Sequence, residues 1–339
     1  MRCNRRKFCS LAFAAPAIFG QSAPDTLIDR GFARVSKLAE GVFVTIADPS
    51  KGPQCLSNGG VIAGRERILL IEGHFQPAGA ALEIKAAQTI SKAPILAAVN
   101  THYHLDHTFG NQAYAVRNIP ILAHERAPAL MKERYAALKG VDKAARLAPL
   151  KAKIAAAEGE KQKRLQGDLE AEQWLNNAID SVTLAYPTEF LRSSEAPKEI
   201  DLGGIRVVVE AHPGHTPTDL IVRIPDRDIV FTGDLLFYHA YPVAFDCDPF
   251  AWRKVLQMFL AYGGKVRFIP GHGPVCGRET VREHMDMMDD LAAHAAKMKR
   301  AGIPLAEASE RYSIPARFRD FDASWWQWTV GAAIEKYYR

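Results

Sequence analysis

Six consecutive residues, His102-Tyr103-His104-Leu105-Asp106-His107, put three imidazoles and one carboxylate into one short stretch. These are the donor types that zinc and similar divalent ions prefer. The stretch follows the apolar run Ile95-Leu96-Ala97-Ala98-Val99, which reads as a buried strand that must turn where the histidines begin. If strand geometry persists, His102 and His104 share one side, because side chains alternate with period two. Asp106 and His107 then fall on the turn, free to aim at a second ion. Packing explains one buried histidine with a partner, but not four donors at this spacing.

Three further donors recur in one context. His215 lies in Pro213-Gly214-His215-Thr216-Pro217, after the run Ile205–Val209. Asp234 lies in Thr232-Gly233-Asp234, after Asp228–Phe231, and His272 in Pro270-Gly271-His272-Gly273-Pro274, after Lys265–Ile269. Each is expected just past the end of a β-branched or aromatic run, in a glycine-rich turn. Loops at one edge of a rigid sheet commonly carry function. A lone histidine in such a turn is ambiguous; the repeated setting favours ligation.

Together these motifs resemble the metallo-β-lactamase fold superfamily, from about Val42 to about Pro274. The resemblance implies an α/β fold, a four-layer αβ/βα sandwich with a helical insert, and two metal ions at the edge between its sheets. It implies that His102, His104 and His215 hold one ion and Asp106, His107 and His272 the other, with Asp234 bridging both. Two zinc ions are the expected cofactors, and the donors also suit iron or manganese.

Two departures narrow the branch. Where true zinc β-lactamases have cysteine or serine, this chain has Asp234, as the glyoxalase II-like and lactonase-like branches do. A carboxylate suits two hard ions, whereas a thiolate favours a softer one. The family's Asp-Thr-Gly is replaced by Glu72-Gly73-His74 after Ile68-Leu69-Leu70-Ile71. Glu72 can accept an N–H from a ligating histidine. His74 reads as a loop histidine.

The ends of the chain and its charge bear on location and partners. Asn4-Arg5-Arg6-Lys7-Phe8, the apolar run Leu11–Phe19 and the small residues Ser22-Ala23 form an export signal over residues 1–23. Its paired arginines are of the twin-arginine kind, so a periplasmic or secreted protein is expected. The formal charge of +5 includes Arg2, Arg5, Arg6 and Lys7, and the mature chain keeps only +1. That is no footprint for nucleic acid. No apolar stretch of the mature part is long enough to span a membrane, so the expected partner is a small-molecule substrate. Oligomeric state stays open. Cys55, Cys247 and Cys276 remain after cleavage and admit at most one internal bridge, with the pair open. Cys276 reads as a packed residue.

The elements that must position the donors can be read from pattern. Short apolar runs from Val35 to Ile71, with a hairpin tip at Gly64–Arg67, predict antiparallel strands. Gly79–Ser91 predicts an amphipathic helix, strands follow from Ile205 to Phe231, and Pro249–Tyr262 predicts another helix. Residues of about 126–180, rich in Ala, Lys, Glu and Leu, predict an inserted group of two or three helices broken at Gly140, Gly159 or Gly167. A structural insert is preferred there over a lid on the metal cleft. Helices are expected over about 279–339, with Trp325, Trp326 and Trp328 packing a terminal helix in the core.

The mature domain, residues 24–339, thus reads as an exported dinuclear zinc hydrolase acting on an ester, thioester, lactone or related acyl bond. The resemblance implies a metal-bridging hydroxide as nucleophile, with Asp106 orienting it and taking its proton. The rivals are a zinc β-lactamase, an iron-dependent sulfur oxidoreductase and a metal-bearing binding protein.

Overall fold

The computed structural model describes residues 25–195 and 197–338. The export signal read over residues 1–23 lies outside the described residues. Two sheets stand face to face. The first runs in chain order through β1 (Thr26–Asp29), β2 (Ala33–Ala39), β3 (Val42–Ala47), β4 (Gly59–Ala63), β5 (Ile68–Ile71), β6 (Ile95–Val99), β7 (Ile121–His124) and β8 (Glu189–Leu191). The second contains β9 (Lys198–Asp201), β10 (Arg206–Ala211), β11 (Leu220–Ile224), β12 (Ile229–Phe237) and β13 (Arg267–His272), ordered β13-β12-β11-β10-β9.

Period-two alternation assigns each side chain to a layer. Leu69 and Ile71 of β5 join Ile229 and Phe231 of β12 between the sheets. Ile68 and Leu70 face outward into a core shared with the first outer helix. Val230 faces the other outer core, with Trp252, Leu256 and Phe259. Both faces of these strands are buried, so β5 reads as an unbroken apolar run, as strands covered on both sides do. Each such side chain contributes about 1.5–3 kcal/mol through burial.

The helices are α1 (Pro77–Ile90), α2 (Leu105–Thr108), α3 (Gln112–Ala115), α4 (Ala127–Lys139), α5 (Lys143–Ala155), α6 (Gly159–Ser181), α7 (Pro249–Ala261), α8 (Arg278–Arg300), α9 (Leu305–Ala308) and α10 (Val330–Tyr338). Helix α1 covers the first sheet, while α7, α8 and α10 cover the second. The layers are therefore helix, sheet, sheet, helix. Among the described residues no helix is long and apolar enough to cross a membrane.

The insert comprises α4, α5 and α6. Gly140 closes α4 and Gly159 opens α6, but Gly167 lies inside α6 without breaking it. Helix α6 docks on the C-terminal segment. The Arg164 guanidinium lies 4.2 Å from the Trp326 ring centre, and Lys161 pairs with Glu310 at 2.9 Å.

Two strands run further than sequence pattern predicts. Strand β12 continues to Phe237, so Asp234 sits inside a strand and not in a turn after it. The parallel ladder to β13 slips on both sides of Gly233, whose φ of +51° suits glycine. A bulge of this kind re-aims the neighbouring side chain. His272 is likewise the last residue of β13.

Candidate metal centre

The histidine motif leaves the sheet at the end of β6 and is closed by a pair of buried amides. Asn100 Nδ2 donates to Asn111 Oδ1 at 3.0 Å and to the His107 carbonyl at 3.1 Å, and Asn111 Nδ2 donates back to Asn100 Oδ1. The strand has ended before His102, so its period does not aim the imidazoles; this amide-closed loop does. Asp106 and His107 occupy the single turn of α2, and Thr108 Oγ1 bonds the His104 carbonyl.

All seven sequence-predicted residues meet at one edge of the sandwich, in two groups. His102, His104, His215 and Asp234 form one, and Asp106, His107, Asp234 and His272 the other. Within each, the donor atoms lie within 4.8 Å of one another. Asp234 belongs to both. Its Oδ2 faces His215 Nε2 at 3.5 Å and His102 Nε2 at 3.9 Å. Its Oδ1 faces His107 Nε2 at 3.2 Å and His272 Nε2 at 3.3 Å. Asp106 Oδ2 reaches those same two nitrogens at 3.4 and 3.3 Å.

The donor set fits divalent ions. His102 Nε2, His107 Nε2 and Asp234 Oδ1 are buried without a hydrogen-bond partner, although each lies beside other donors of its group. Buried polar atoms left in that condition mark an ion or water site. Electrostatics agree. Burial drives His102 and His215 down, His215 to about 3, so both are neutral and ready to ligate. Burial acts on His107 and His272 too, but Asp234 with its neighbouring carboxylates outweighs it, lifting His272 to about 10. Burial likewise opposes ionisation of Asp106 and Asp234, yet His107 and His272 hold both carboxyls well below their usual range.

Surrounding contacts fix these side chains. Glu72 Oε1 faces His107 Nδ1 at 3.2 Å and accepts from Thr101, in the supporting role its place after β5 predicts. Glu72 carries a φ of +80°, a strained conformation of the kind that collects at functional sites. Gly271 is required beside Asp234, because a Cβ there would collide with Asp234 Oδ1.

Three supporting residues escape sequence reasoning. Asp246 accepts from His104 Nε2 at 3.1 Å and from the Tyr103 hydroxyl, leaving His104 Nδ1 3.1 Å from His215 Nε2. Burial raises the Asp246 carboxyl, but those two bonds prevail and bring it to about 2. Asp219 accepts from the Gly214 and Thr216 amides and from Thr216 Oγ1, shaping the His215 loop while burial pushes its carboxyl up to about 7. Asn58 Nδ2 donates to the Pro270 and Gly273 carbonyls, clamping the turn around His272 to the first sheet. Phe245-Asp246-Cys247-Asp248 offers two aspartates, and only Asp248 has a sequence signature, as N-cap of α7.

Other expectations change. His74 does lie in the loop between β5 and α1, but it is fully buried there, with Nδ1 3.0 Å from Cys55 Sγ and Nε2 3.1 Å from Glu83. Cys55, Cys247 and Cys276 are all free thiols. Cys276 is buried against the Phe268 carbonyl, a packed residue as expected. Trp326 packs in the core, whereas Trp325 and Trp328 line a cavity of about 1850 Å³ that opens onto His104, Asp106, Asp234 and His272. Helices α4 and α6 line it too, so the insert is part of the cleft wall.

Residues 52–272 match the family model of the metallo-beta-lactamase superfamily. The chain belongs to that superfamily. It is similar to the hydroxyacylglutathione hydrolase of Brucella anthropi, at 32% identity over 121 residues, covering 35% of this chain and 44% of that protein. It is also similar to the linear primary-alkylsulfatase of a Pseudomonas species, at 24% identity over 322 residues, 88% of this chain and 46% of that protein. The chain thus spans less than half the length of either relative. Among solved structures, a metallo beta lactamase from Erythrobacter litoralis superposes with a TM-score of 0.52 at 19% identity, over 77% of this chain and 98% of that one. This last likeness concerns the fold.

Proposed function

We propose that this superfamily member is a two-metal hydrolase, with zinc as its metal, cleaving an ester, thioester, lactone or related acyl bond. On the reading of residues 1–23 as an export signal, it acts outside the cytoplasm. The observation that carries the proposal is Asp234, whose two oxygens face different histidine groups. His102, His104 and His215 would hold one ion, Asp106, His107 and His272 the other, with Asp234 shared. When bound, such ions polarise an acyl oxygen and make water acidic enough to supply a nucleophile at neutral pH.

The chain's own groups do the rest. Asp106, about a quarter exposed, lines the cavity beside His272, where its carboxylate can orient water and take its proton. Asp246 fixes the ring of His104, and Glu72 that of His107. The largely apolar cavity gives the acyl compound a surface beside the donors. A carboxylate at position 234, in place of a softer thiolate, offers no special hold on an amide-type nitrogen, so acyl esters and thioesters should outrank penicillins.

Metal content measured with turnover tests this reading. Two zinc ions per chain and higher kcat/KM on an aryl ester, an acyl thioester or a lactone than on nitrocefin are expected. One iron per chain with no acyl turnover would overturn it in favour of sulfur oxidation, and dominant nitrocefin turnover would restore the lactamase reading. A second reading, cleavage of an alkyl sulfate ester, draws on the likeness to the alkylsulfatase over 88% of the chain. Dodecyl sulfate belongs in the same panel, and its preferential hydrolysis would favour that reading.

A further inference from the structure

One wall of the cavity is a continuous aromatic path leading away from the metal centre. The Phe245 ring lies 5.1 Å from that of His104, Trp328 lies 6.5 Å from Phe245, and Trp325 lies 6.0 Å from Trp328. Phe75, from the segment before α1, and Trp174, from α6, contribute apolar surface. Trp174 is 37% exposed where it lines the cavity, so part of its surface is open to an occupant. Arg134 of α4 stands at the inner end of this path, its guanidinium 4.6 Å from the Phe245 ring centre.

Among the described residues Arg134 makes no direct ion pair, and the acidic group its charge acts on, Asp246, is already bonded to Tyr103 and His104. Glu170 of α6 is exposed at the cavity rim. A guanidinium stacked on a ring keeps its N–H edge available for a planar oxyanion. The ring contact itself holds the side chain in place, so little order need be gained on binding.

We propose that the cavity takes an acyl compound with an aromatic or otherwise bulky apolar body, carrying a carboxylate that Arg134 binds beside the reacting centre. This rests on the hydrolase reading and adds the substrate class to it. The carboxylate would sit one aromatic ring removed from His104, a few bonds from the scissile carbonyl. The apolar body would run along Phe245, Trp328 and Trp325 under Trp174. The insert is then the selecting element of the cleft, and not a structural appendage.

Calorimetric binding of 4-phenylbutanoate and 4-phenylbutanamide to the zinc-loaded protein separates this proposal from the hydrolase reading, since neither compound need be turned over. The acid should bind about tenfold more tightly than the amide, the advantage that a charge-assisted hydrogen bond supports at a half-exposed site. Arg134→Gln should abolish that advantage, and Trp174→Ala should weaken both compounds alike while preserving it. Equal affinities in the unmodified protein would overturn the proposal. So would an acid preference that survives in Arg134→Gln, because the carboxylate would then be going to the metals. If Trp174→Ala leaves both affinities unchanged, the apolar body is not in this cavity, and the proposal falls. Absence of acyl turnover with an Arg134-dependent preference would remove the hydrolase reading and leave the binding site standing.

Discussion

Asp246→Ala removes the acceptor that fixes the far nitrogen of His104. The carboxylate lies 3.1 Å from His104 Nε2, so it selects the tautomer with the proton on that nitrogen and the Nδ1 lone pair aimed at the donors around His215. A hydrogen bond to a charged group contributes about 1.5–3 kcal/mol, and with the Asp246 side chain 30% exposed the lower half of that range applies. Each ~1.4 kcal/mol is about tenfold in affinity. Asp246→Ala should therefore weaken metal binding by about 10–40-fold, within the range seen when a carboxylate behind a ligating histidine is lost. Asp246→Asn keeps a neutral acceptor worth about 1 kcal/mol and should lose about tenfold or less. Tyr103→Phe removes only the competing donor and should stay within about threefold of the parent protein. Competition against a chromophoric chelator gives the affinities, and circular dichroism checks the fold. If Asp246→Ala binds metal as tightly as the parent, His104 is not held through Asp246 and the reasoning fails.

Three further outcomes follow from the same geometry. Loading of the metal-free protein at pH 7 should release about two protons, because His107 and His272 are held protonated there and must lose those protons to ligate; affinity then falls as pH falls, and a binding enthalpy independent of the buffer would contradict it. Gly271→Ala should displace Asp234 and lower metal content and acyl turnover together, with elemental analysis and an aryl-ester assay as readouts. Glu83→Ala should cost about 3–5 kcal/mol in denaturant unfolding, since it strands buried His74 without its carboxylate; a loss below about 1 kcal/mol would show that the pair contributes little.

What could be read in advance was local. His102, His104, Asp106 and His107 announce themselves by spacing, and His215, Asp234 and His272 by recurring after apolar runs beside glycine. Strand alternation likewise reports which side of a sheet each residue faces, as Ile68 to Ile71 illustrate. What could not be read depends on chain segments far apart. Asp246 meets His104 across 142 positions and Asn58 meets Pro270 across 212, and neither aspartate nor asparagine in a loop carries a mark of its distant partner. The burial of His74 is hidden for the same reason. Its loop position beside Gly73 is legible, but Glu83 of α1 and Cys55 come from other segments to enclose it. Gly233 breaks the apolar pattern and suggests a turn at Asp234, whereas the backbone absorbs that break as a bulge and the strand goes on.

The same division separates chemistry from selection. The donors stand at or just past strand ends, at the bulge inside β12 and on one helical turn, held by contacts that leave little freedom to a side chain such as buried His102 or Asp234. Part of the cavity wall comes instead from the insert and from the segment before α10, joined by Arg164 on Trp326 and Lys161 on Glu310. Arg134, Trp174, Trp325 and Trp328 have no sequence signature of function, because an arginine on a helix and a tryptophan near a terminus are ordinary until a second element faces them. Their effect on the reaction must run through which acyl compounds reach the donors and how they lie there, since they stand beside the donor set without belonging to it. Changes in this wall should therefore move KM and substrate ranking while metal content stays fixed, and changes in the donor set should move metal content first.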